Sequence, residues 1–144
     1  MSLRQKLDLT GRKAIVTGGS RGLGLQIAEG LGEMGAEVLL TARKADELEQ
    51  AVAHLAAMGV TASAIPGDMG RPDSVATFVD AALERLGHVD ILVNNAGANW
   101  AAPMEDYPDD AWNKVLALNV KSIFHLTRAC LPLLLAAPDA AVVF

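Results

Sequence analysis

Residues 17–24, TGGSRGLG, combine four glycines with one serine and one arginine. Glycine lets a backbone adopt positive φ and approach a ligand closely, and an arginine among glycines favours an anionic ligand. The spacing of Gly18, Gly22 and Gly24 differs from the Gly-x-Gly-x-x-Gly dinucleotide fingerprint. The segment alone is therefore a weak signal, and a tight turn that binds nothing is the alternative.

The glycine segment follows a predicted strand and precedes a predicted helix. KAIVT at 13–17 is short and rich in β-branched residues, as buried strands are. Apolar residues then recur at helical spacing from Leu23 to Met34, and Gly35 ends the pattern. The N-terminus of such a helix has free N–H groups and a positive dipole end, which suit a pyrophosphate. This context predicts nucleotide binding at residues 17–24.

The same alternation of strand and helix continues along the chain. Amphipathic helices are predicted up to Gly59, from Pro72 and Asp73 onward, and from about 108 to 135, where Pro132 bends or ends the last one. Four further apolar segments predict strands at 37–41, 61–67, 90–97 and 140–144.

These elements predict an α/β fold, a doubly wound parallel sheet with helices on both faces. Right-handed crossovers favour the strand order 3-2-1-4-5 of a Rossmann-like domain. Residues 1–144 are expected to form one dinucleotide-binding domain that stops within its fifth strand. Ligands of such sheets bind at the carboxyl ends of the strands, where residues 17–24 would lie.

The end of the second strand discriminates between the two nicotinamide cofactors. NAD-binding domains place an acidic residue there for the ribose 2′-hydroxyl, whereas NADP requires an arginine. The sequence reads Thr41-Ala42-Arg43, and Glu47 comes late enough to serve the first turn of the next helix. Arg21 and Arg43 together predict a clamp for the 2′-phosphate of NADP(H). Two solvated surface arginines are the alternative.

Composition excludes several classes of partner. Lys+Arg number 12 and Asp+Glu 17, so the net charge of −5 argues against a nucleic-acid or anionic-membrane surface. The single cysteine, Cys130, cannot form an internal disulfide and suits a reducing compartment. We therefore expect a cytoplasmic protein, and the three histidines, which have no metal-ligand spacing, predict no metal site.

Several motifs occur together in an order that identifies a family. Thr17-Gly18-x-x-x-Gly22-x-Gly24 is followed by Asp68, by Asn94-Asn95-Ala96-Gly97 and by Asn119. This set resembles the short-chain dehydrogenase/reductase family, in its NADP-using branch near the 3-oxoacyl carrier-protein reductases. The similarity extends from about Leu9 to Phe144.

The resemblance implies a role for particular residues. For some of them a purely structural role is the alternative. Asp68 could cap a turn, Asn94 and Asn95 could form a tight turn, and Asn119 could be a buried residue whose amide is satisfied by backbone groups. In the family, the residue corresponding to Asn119 bends a helix on the proton-relay path. The other implied contacts are Gly18, Ser20, Arg21, Gly22, Leu23 and Gly24 with the pyrophosphate and adenosine ribose, Asp68 and Met69 with adenine, and Asn95, Ala96 and Gly97 with the nicotinamide-side ribose.

The family's catalytic Ser and Tyr-x-x-x-Lys do not occur in these residues. Tyr107 is the only tyrosine, and Ala111 stands where the lysine would be. We therefore expect a longer natural polypeptide whose later strands supply the three groups, with the 144 residues inactive alone.

That expectation leads to two hypotheses for function. The first is an NADP(H)-dependent oxidoreductase acting on a small carbonyl or secondary alcohol, such as a 3-oxoacyl thioester. The second is a catalytically silent NADP(H)-binding or regulatory module. In either case, the apolar helix carrying Ile123, Leu126, Leu131 and Leu134 and the exposed strand AVVF predict a homo-oligomer.

Overall fold

The computed structural model describes residues 2–144, which form one parallel sheet with helices on both faces. The strand order is β3-β2-β1-β4-β5, and every neighbouring pair is parallel. The predicted doubly wound fold and strand order are therefore confirmed. The strands are β1 Lys13–Thr17, β2 Glu37–Thr41, β3 Ala62–Ala64, β4 Ile91–Val93 and β5 Ala141–Val143.

Helices connect the strands, and a π-helical turn interrupts the longest helical segment. It spans Ala117–Lys121, inside the region predicted as one helix from 108 to 135. The region also breaks next to Pro132, as predicted: one helix ends at Ala129, and Pro132 lies in the first turn of the next, which begins after Cys130. The helices are α1 Leu3–Leu7, α2 Gly22–Glu33, α3 Ala45–Ala57, α4 Pro72–Leu86, α5 Asp109–Leu116, α6 Ser122–Ala129 and α7 Leu131–Leu135.

The core consists of two layers because each central strand is buried on both faces. One layer packs Ile15, Leu39 and Leu92 against α4, α6 and α7. The other packs alternate strand residues such as Val16 and Leu40 against α2 and α3. Continuous apolar strands are typical of a parallel sheet covered on both sides. The two layers fix the strand ends that form the site described below.

Three strands are shorter than their apolar segments predicted. The observed strands are Ala62–Ala64 within the predicted segment 61–67, Ile91–Val93 within 90–97 and Ala141–Val143 within 140–144. The residues after β3 and β4 leave the sheet as loops. Those loops border the cleft at the carboxyl ends of the strands.

The buried face of α2 differs from the apolar pattern. Leu23 is 66% exposed and Met34 is 40% exposed, whereas Gly24 and Ala28 are buried. Small residues allow α2 to lie close to the sheet, so the large apolar residues at its two ends face outward. Helical spacing thus predicted the helix correctly, and Ile27 and Leu31 of its predicted apolar face pack against the core, but Leu23 and Met34 do not.

The exposed apolar surface near the end of the chain only partly matches the prediction, because Leu131 and Phe144 are exposed as expected but two of the predicted leucines are not. Leu126 and Leu134 are buried in the core. The exposed side chains are Val120, Phe124, Leu131, Leu135 and Phe144. β5 lies at the edge of the sheet, as expected for AVVF. Among residues 2–144, no helix has the length and apolar character needed to cross a membrane.

Candidate dinucleotide-binding site

A cleft of about 350 Å³ lies at the carboxyl ends of the strands, where connections leave toward opposite faces of the sheet. This is the position at which doubly wound sheets bind ligands, and the volume lies in the range of small-molecule sites. The predicted contact residues that line the cleft are Gly18, Ser20, Arg21, Gly22, Arg43, Asp68, Met69, Asn95, Ala96 and Gly97.

The glycine turn leaves the start of α2 open toward the cleft. Gly18 and Gly22 have φ of 65° and 56°, a region that L side chains rarely adopt. Arg21 occupies the N-cap position of α2 but makes no side-chain capping bond, and its side chain is 78% exposed. First-turn N–H groups and an exposed cation therefore face the same space, which suits an anionic ligand.

Two of the predicted contact residues lie outside the cleft. Leu23 points away from it and is mainly exposed. A Cβ at Gly24 would overlap the carbonyl oxygen of Gly18 and approach Asn95 Nδ2 at 2.5 Å. Gly24 therefore lets α2 pack against the turn, and its effect on the site is through the backbone.

The loop after β4 is fastened to the end of β1. Asn95 Nδ2 donates to the carbonyl oxygens of Thr17 at 2.9 Å and Gly18 at 3.2 Å. Thr17 Oγ1 accepts from the N–H groups of Asn95 at 3.0 Å and Ala96 at 2.9 Å, and donates to the Val93 carbonyl oxygen at 3.3 Å. Thr17 was predicted only as part of the motif. It ties together two of the walls of the cleft.

Asn119 joins the π-helical turn to the next part of the same loop. Its Oδ1 accepts from Ala98 N at 2.7 Å, and its Nδ2 donates to the Ala98 carbonyl oxygen at 2.8 Å. A Cβ at Gly97 would meet Asn119 Oδ1 at 3.2 Å. Asn119 is exposed rather than buried, does not line the cleft and has its amide satisfied by backbone groups. Here it acts as a brace between helix and loop.

Asp68 follows β3 and takes part in a turn while also bordering the cleft. Its Oδ1 accepts from Gly70 N at 2.9 Å, and its backbone N–H donates to Ser74 Oγ at 2.7 Å. Met69 is buried beside it. The turn-capping alternative is therefore observed, and the position at the cleft leaves adenine contact open to both residues.

Positive charge is concentrated at the end of β2. Arg43 and Lys44 follow the strand and, like Arg21, line the cleft. Sequence reasoning identified the two arginines but missed Lys44. It also assigned Glu47 only to the first turn of α3, whereas its carboxylate faces the cleft and accepts from Lys44 Nζ at 2.7 Å. The hydrogen bond from Lys44 holds the pKa of Glu47 below its usual value.

The one tyrosine does not form part of the cleft. Tyr107 caps a short 3₁₀ helix, Met104–Asp106, and its ring meets Trp112 edge-on at 6.4 Å. Ala111 is buried in α5. In the described part of the chain, no three His, Cys, Asp or Glu side chains are grouped so that they could hold a metal ion.

Comparison with known proteins agrees with this architecture. The rhamnolipids biosynthesis 3-oxoacyl-[acyl-carrier-protein] reductase of Pseudomonas aeruginosa is 45% identical over 127 residues, 88% of this chain and 49% of that protein. Gluconate 5-dehydrogenase of Gluconobacter oxydans is 41% identical over 130 residues, 90% of this chain and 50% of that protein. The chain thus spans about half the length of these curated relatives.

A solved structure of an NADP complex has the same fold. The Pseudomonas aeruginosa RhlG/NADP active-site complex matches with a TM-score of 0.85 and 44% identity, over 88% of this chain and 49% of that one. The family model for short chain dehydrogenase matches residues 12–144, nearly the whole chain. The chain therefore belongs to the short chain dehydrogenase family.

Proposed function

We propose that these residues bind NADP(H) and form the dinucleotide-binding part of an oxidoreductase acting on a carbonyl or secondary alcohol. The observation that carries the proposal is that Arg21, from the glycine turn, lines the same cleft as Arg43 and Lys44, which follow β2 where an NAD-binding domain would place an acidic strand-end residue. The similar structure of the Pseudomonas aeruginosa RhlG/NADP active-site complex supports the same cofactor.

The residues of the cleft fit the parts of this cofactor. Gly18, Gly22 and the start of α2 suit the pyrophosphate because the first-turn backbone N–H groups lie there and nothing lies within 4 Å of a Cβ placed at Gly22. The cations at the end of β2 suit a 2′-phosphate. Asp68 and Met69 would border the adenine, and the loop 95–97 would pass beside the nicotinamide-side ribose. When bound, the nicotinamide supplies or accepts the hydride.

Reduction of a carbonyl also requires a proton donor close to the substrate oxygen. Tyr107 is unsuited to that task because it lies outside the cleft and has no lysine four residues later. We propose that the family's Ser, Tyr and Lys act from a part of the protein other than these residues, and that Asn119 braces the loop beside them. Domain 1–144 is then the cofactor-binding half of the site.

The substrate is proposed only as a class. One relative is named for a 3-oxoacyl thioester and another for gluconate, so the shared chemistry is a ketone paired with a secondary alcohol. A 3-oxoacyl thioester is our first candidate because the more similar relative is named for it.

A second copy of the chain is the proposed partner, and the cytoplasm the proposed location. The exposed side chains of Val120, Phe124 and Leu131 form an apolar strip on the last helices, which supports self-association. The single buried thiol suits a reducing compartment.

A catalytically silent NADP(H)-binding module remains the second candidate. No Tyr-x-x-x-Lys sequence occurs at the cleft among residues 2–144, which favours it. NADPH oxidation should be measured over ketones, β-ketoacyl thioesters and quinones. If every tested protein that contains these residues binds NADPH but reduces no substrate, the silent module is supported. If residues 1–144 alone reduce a substrate, our account of the missing proton donor is wrong.

The cofactor proposal is tested by titrating the chain with NADP⁺ and NAD⁺. We expect NADP⁺ to bind at least about tenfold more tightly, because its phosphate adds charge-assisted hydrogen bonds. Arg21→Ala/Arg43→Ala should remove most of that preference, while Arg85→Ala, which lies on α4 outside the cleft, should leave it unchanged. Tighter binding of NAD⁺ by the unmodified chain would contradict the proposal.

A further inference from the structure

Glu47 occupies the same group of cations and hydroxyls that would hold the 2′-phosphate. Its Oε1 accepts from Lys44 Nζ at 2.7 Å, and its Oε2 accepts from Ser20 Oγ at 3.3 Å. Oε2 also lies 3.9 Å from Arg21 Nε. One carboxylate therefore contacts both sides of the cleft, the glycine turn and the start of α3.

The carboxylate is charged at neutral pH and partly shielded from solvent. The Lys44 hydrogen bond lowers the pKa of Glu47, with smaller contributions from the charges of Lys44 and Arg21 and from Ser20. The Glu47 side chain is 24% exposed, against 64% for Lys44 and 78% for Arg21. The two cations are thus the more exposed partners, and the anion is the more shielded one.

We propose that Glu47 is an internal anion that competes with the 2′-phosphate of NADP(H) for Ser20, Arg21 and Lys44. It thereby limits the preference of this chain for NADP(H) over NAD(H). Glu47 is a specificity-determining residue in this reading, which rests on the proposed cofactor site.

The competition follows from charge and hydrogen-bond type. A carboxylate and a phosphate both accept hydrogen bonds from ammonium, guanidinium and hydroxyl donors. The 2′-phosphate must therefore displace Glu47 from each donor that Glu47 uses. Two anions in one cleft also repel each other, and the repulsion is stronger where solvent is partly excluded. A dinucleotide without the 2′-phosphate brings one anionic group fewer to these donors, so both effects are smaller for it. Its ribose hydroxyl can instead donate to a carboxylate.

Arg43 gives the phosphate a partner that Glu47 does not hold. It lines the same cleft but forms no ion pair with any carboxylate among residues 2–144. NADP(H) therefore remains the expected cofactor, with its advantage over NAD(H) reduced rather than abolished.

The test compares Glu47→Gln with the matched control Glu49→Gln. Both substitutions remove one negative charge from α3, but Glu49 is exposed and lies outside the cleft. Calorimetric titration with 2′,5′-ADP and 5′-AMP isolates the phosphate from the rest of the cofactor. We expect Glu47→Gln to tighten 2′,5′-ADP by about tenfold and to change 5′-AMP by less than about twofold. The gain should shrink at high salt.

The outcomes separate this inference from the cofactor proposal. If the unmodified chain binds NADP⁺ and 2′,5′-ADP but Glu47→Gln behaves like Glu49→Gln, the inference is wrong and the cofactor proposal stands. Weaker 2′,5′-ADP binding by Glu47→Gln would show that Glu47 arranges the cations for the phosphate, which also overturns it. If no form binds either ligand, both proposals are wrong. Glu47→Ala, checked for folding by urea denaturation, guards against a misfolded variant.

Discussion

Arg12 Nη1 donates to Asp90 Oδ1 at 2.7 Å, at the end of the sheet opposite the cleft. Both residues immediately precede strands, β1 and β4. The other carboxylate oxygen accepts from Lys13 N at 2.9 Å and lies 3.2 Å from His88 Nε2. Asp90 is almost fully buried, so this carboxylate ties the two central strands together below the site.

Replacing Asp90 with Asn should destabilise the fold at neutral pH. The substitution leaves Arg12 without its anion and replaces one charge-assisted acceptor with an amide. We expect the free energy of unfolding to fall by about 2 kcal/mol. Urea denaturation measures this, with Asp80→Asn, an exposed carboxylate of α4, as the control. Equal midpoints for the two variants would contradict the argument.

The same carboxylate makes stability depend on acidity. Burial alone would raise the pKa of Asp90, but hydrogen bonds from Arg12 and Lys13 N, with the charge of His88, hold it below its usual value. Because the pKa of Asp90 is lower in the folded protein than in the unfolded chain, its ionised form stabilises the fold. This stabilisation is fully present above the carboxyl pKa of the unfolded chain, about 4, and is lost as the pH falls through the pKa of the folded protein. The difference in free energy of unfolding between wild type and Asp90→Asn, measured by urea denaturation, should therefore become smaller below about pH 4.

Thr17 and Thr41 pair in register at the ends of β1 and β2, yet their hydroxyls differ. The Thr17 hydroxyl has three hydrogen-bond partners, whereas Thr41 Oγ1 is buried with no partner among residues 2–144. Thr17→Val should lower the free energy of unfolding by about 2 kcal/mol, because two partly buried N–H groups lose their acceptor. Thr41→Val should be neutral or stabilising by up to about 1 kcal/mol.

Urea denaturation of the two variants checks this contrast directly. Because Thr17 fastens the loop 95–97 to β1, Thr17→Val should also weaken NADP⁺ binding. The loss of affinity should exceed the part that the larger unfolded fraction of the variant accounts for at the same temperature. Similar stability for the two valine variants would show that the hydroxyl bonds at Thr17 contribute little.

The sequence was sufficient for the order of elements and for most of the cleft. β1 and β2 match their predicted bounds because each is a short apolar run closed by turn residues. The strand order followed from the alternation of strands and helices. Residue type and position in the βαβ unit then placed Arg21 and Arg43 at the same end of the sheet.

The remaining details depend on contacts between distant segments. Glu47 matches a helix first turn, and only the packing of α3 beside the glycine turn brings its carboxylate to Ser20. The exposure of Leu23 follows from the close approach of α2 to the sheet at Gly24, which helical spacing does not reveal. The role of Thr17 in holding the loop cannot be predicted from the sequence, because threonine is common in strands and its residue type does not indicate these hydrogen bonds.

Gly24 and Gly30, both in α2, should respond oppositely to substitution by alanine. A Cβ at Gly24 would overlap Gly18 O, so Gly24→Ala must displace the start of α2 and should cost about 2 kcal/mol or more. Nothing lies within 4 Å of a Cβ at Gly30, and Gly30→Ala should gain up to about 1 kcal/mol from helix propensity. Thermal denaturation compares them, and a stable Gly24→Ala that binds NADP⁺ normally would refute the close-packing role.

Cys130 provides an independent measure of core opening. It is fully buried between α6 and α7 among core residues, and burial raises the pKa of its thiol to about 12. Because the thiolate is the reactive form, the folded chain should react with a disulfide reagent near pH 8 far more slowly than the chain in concentrated urea. The labelling rate at low urea should follow the population of opened molecules and should fall further when NADP⁺ is added. Rapid labelling without denaturant would show that the α6–α7 layer opens independently of the rest of the sheet.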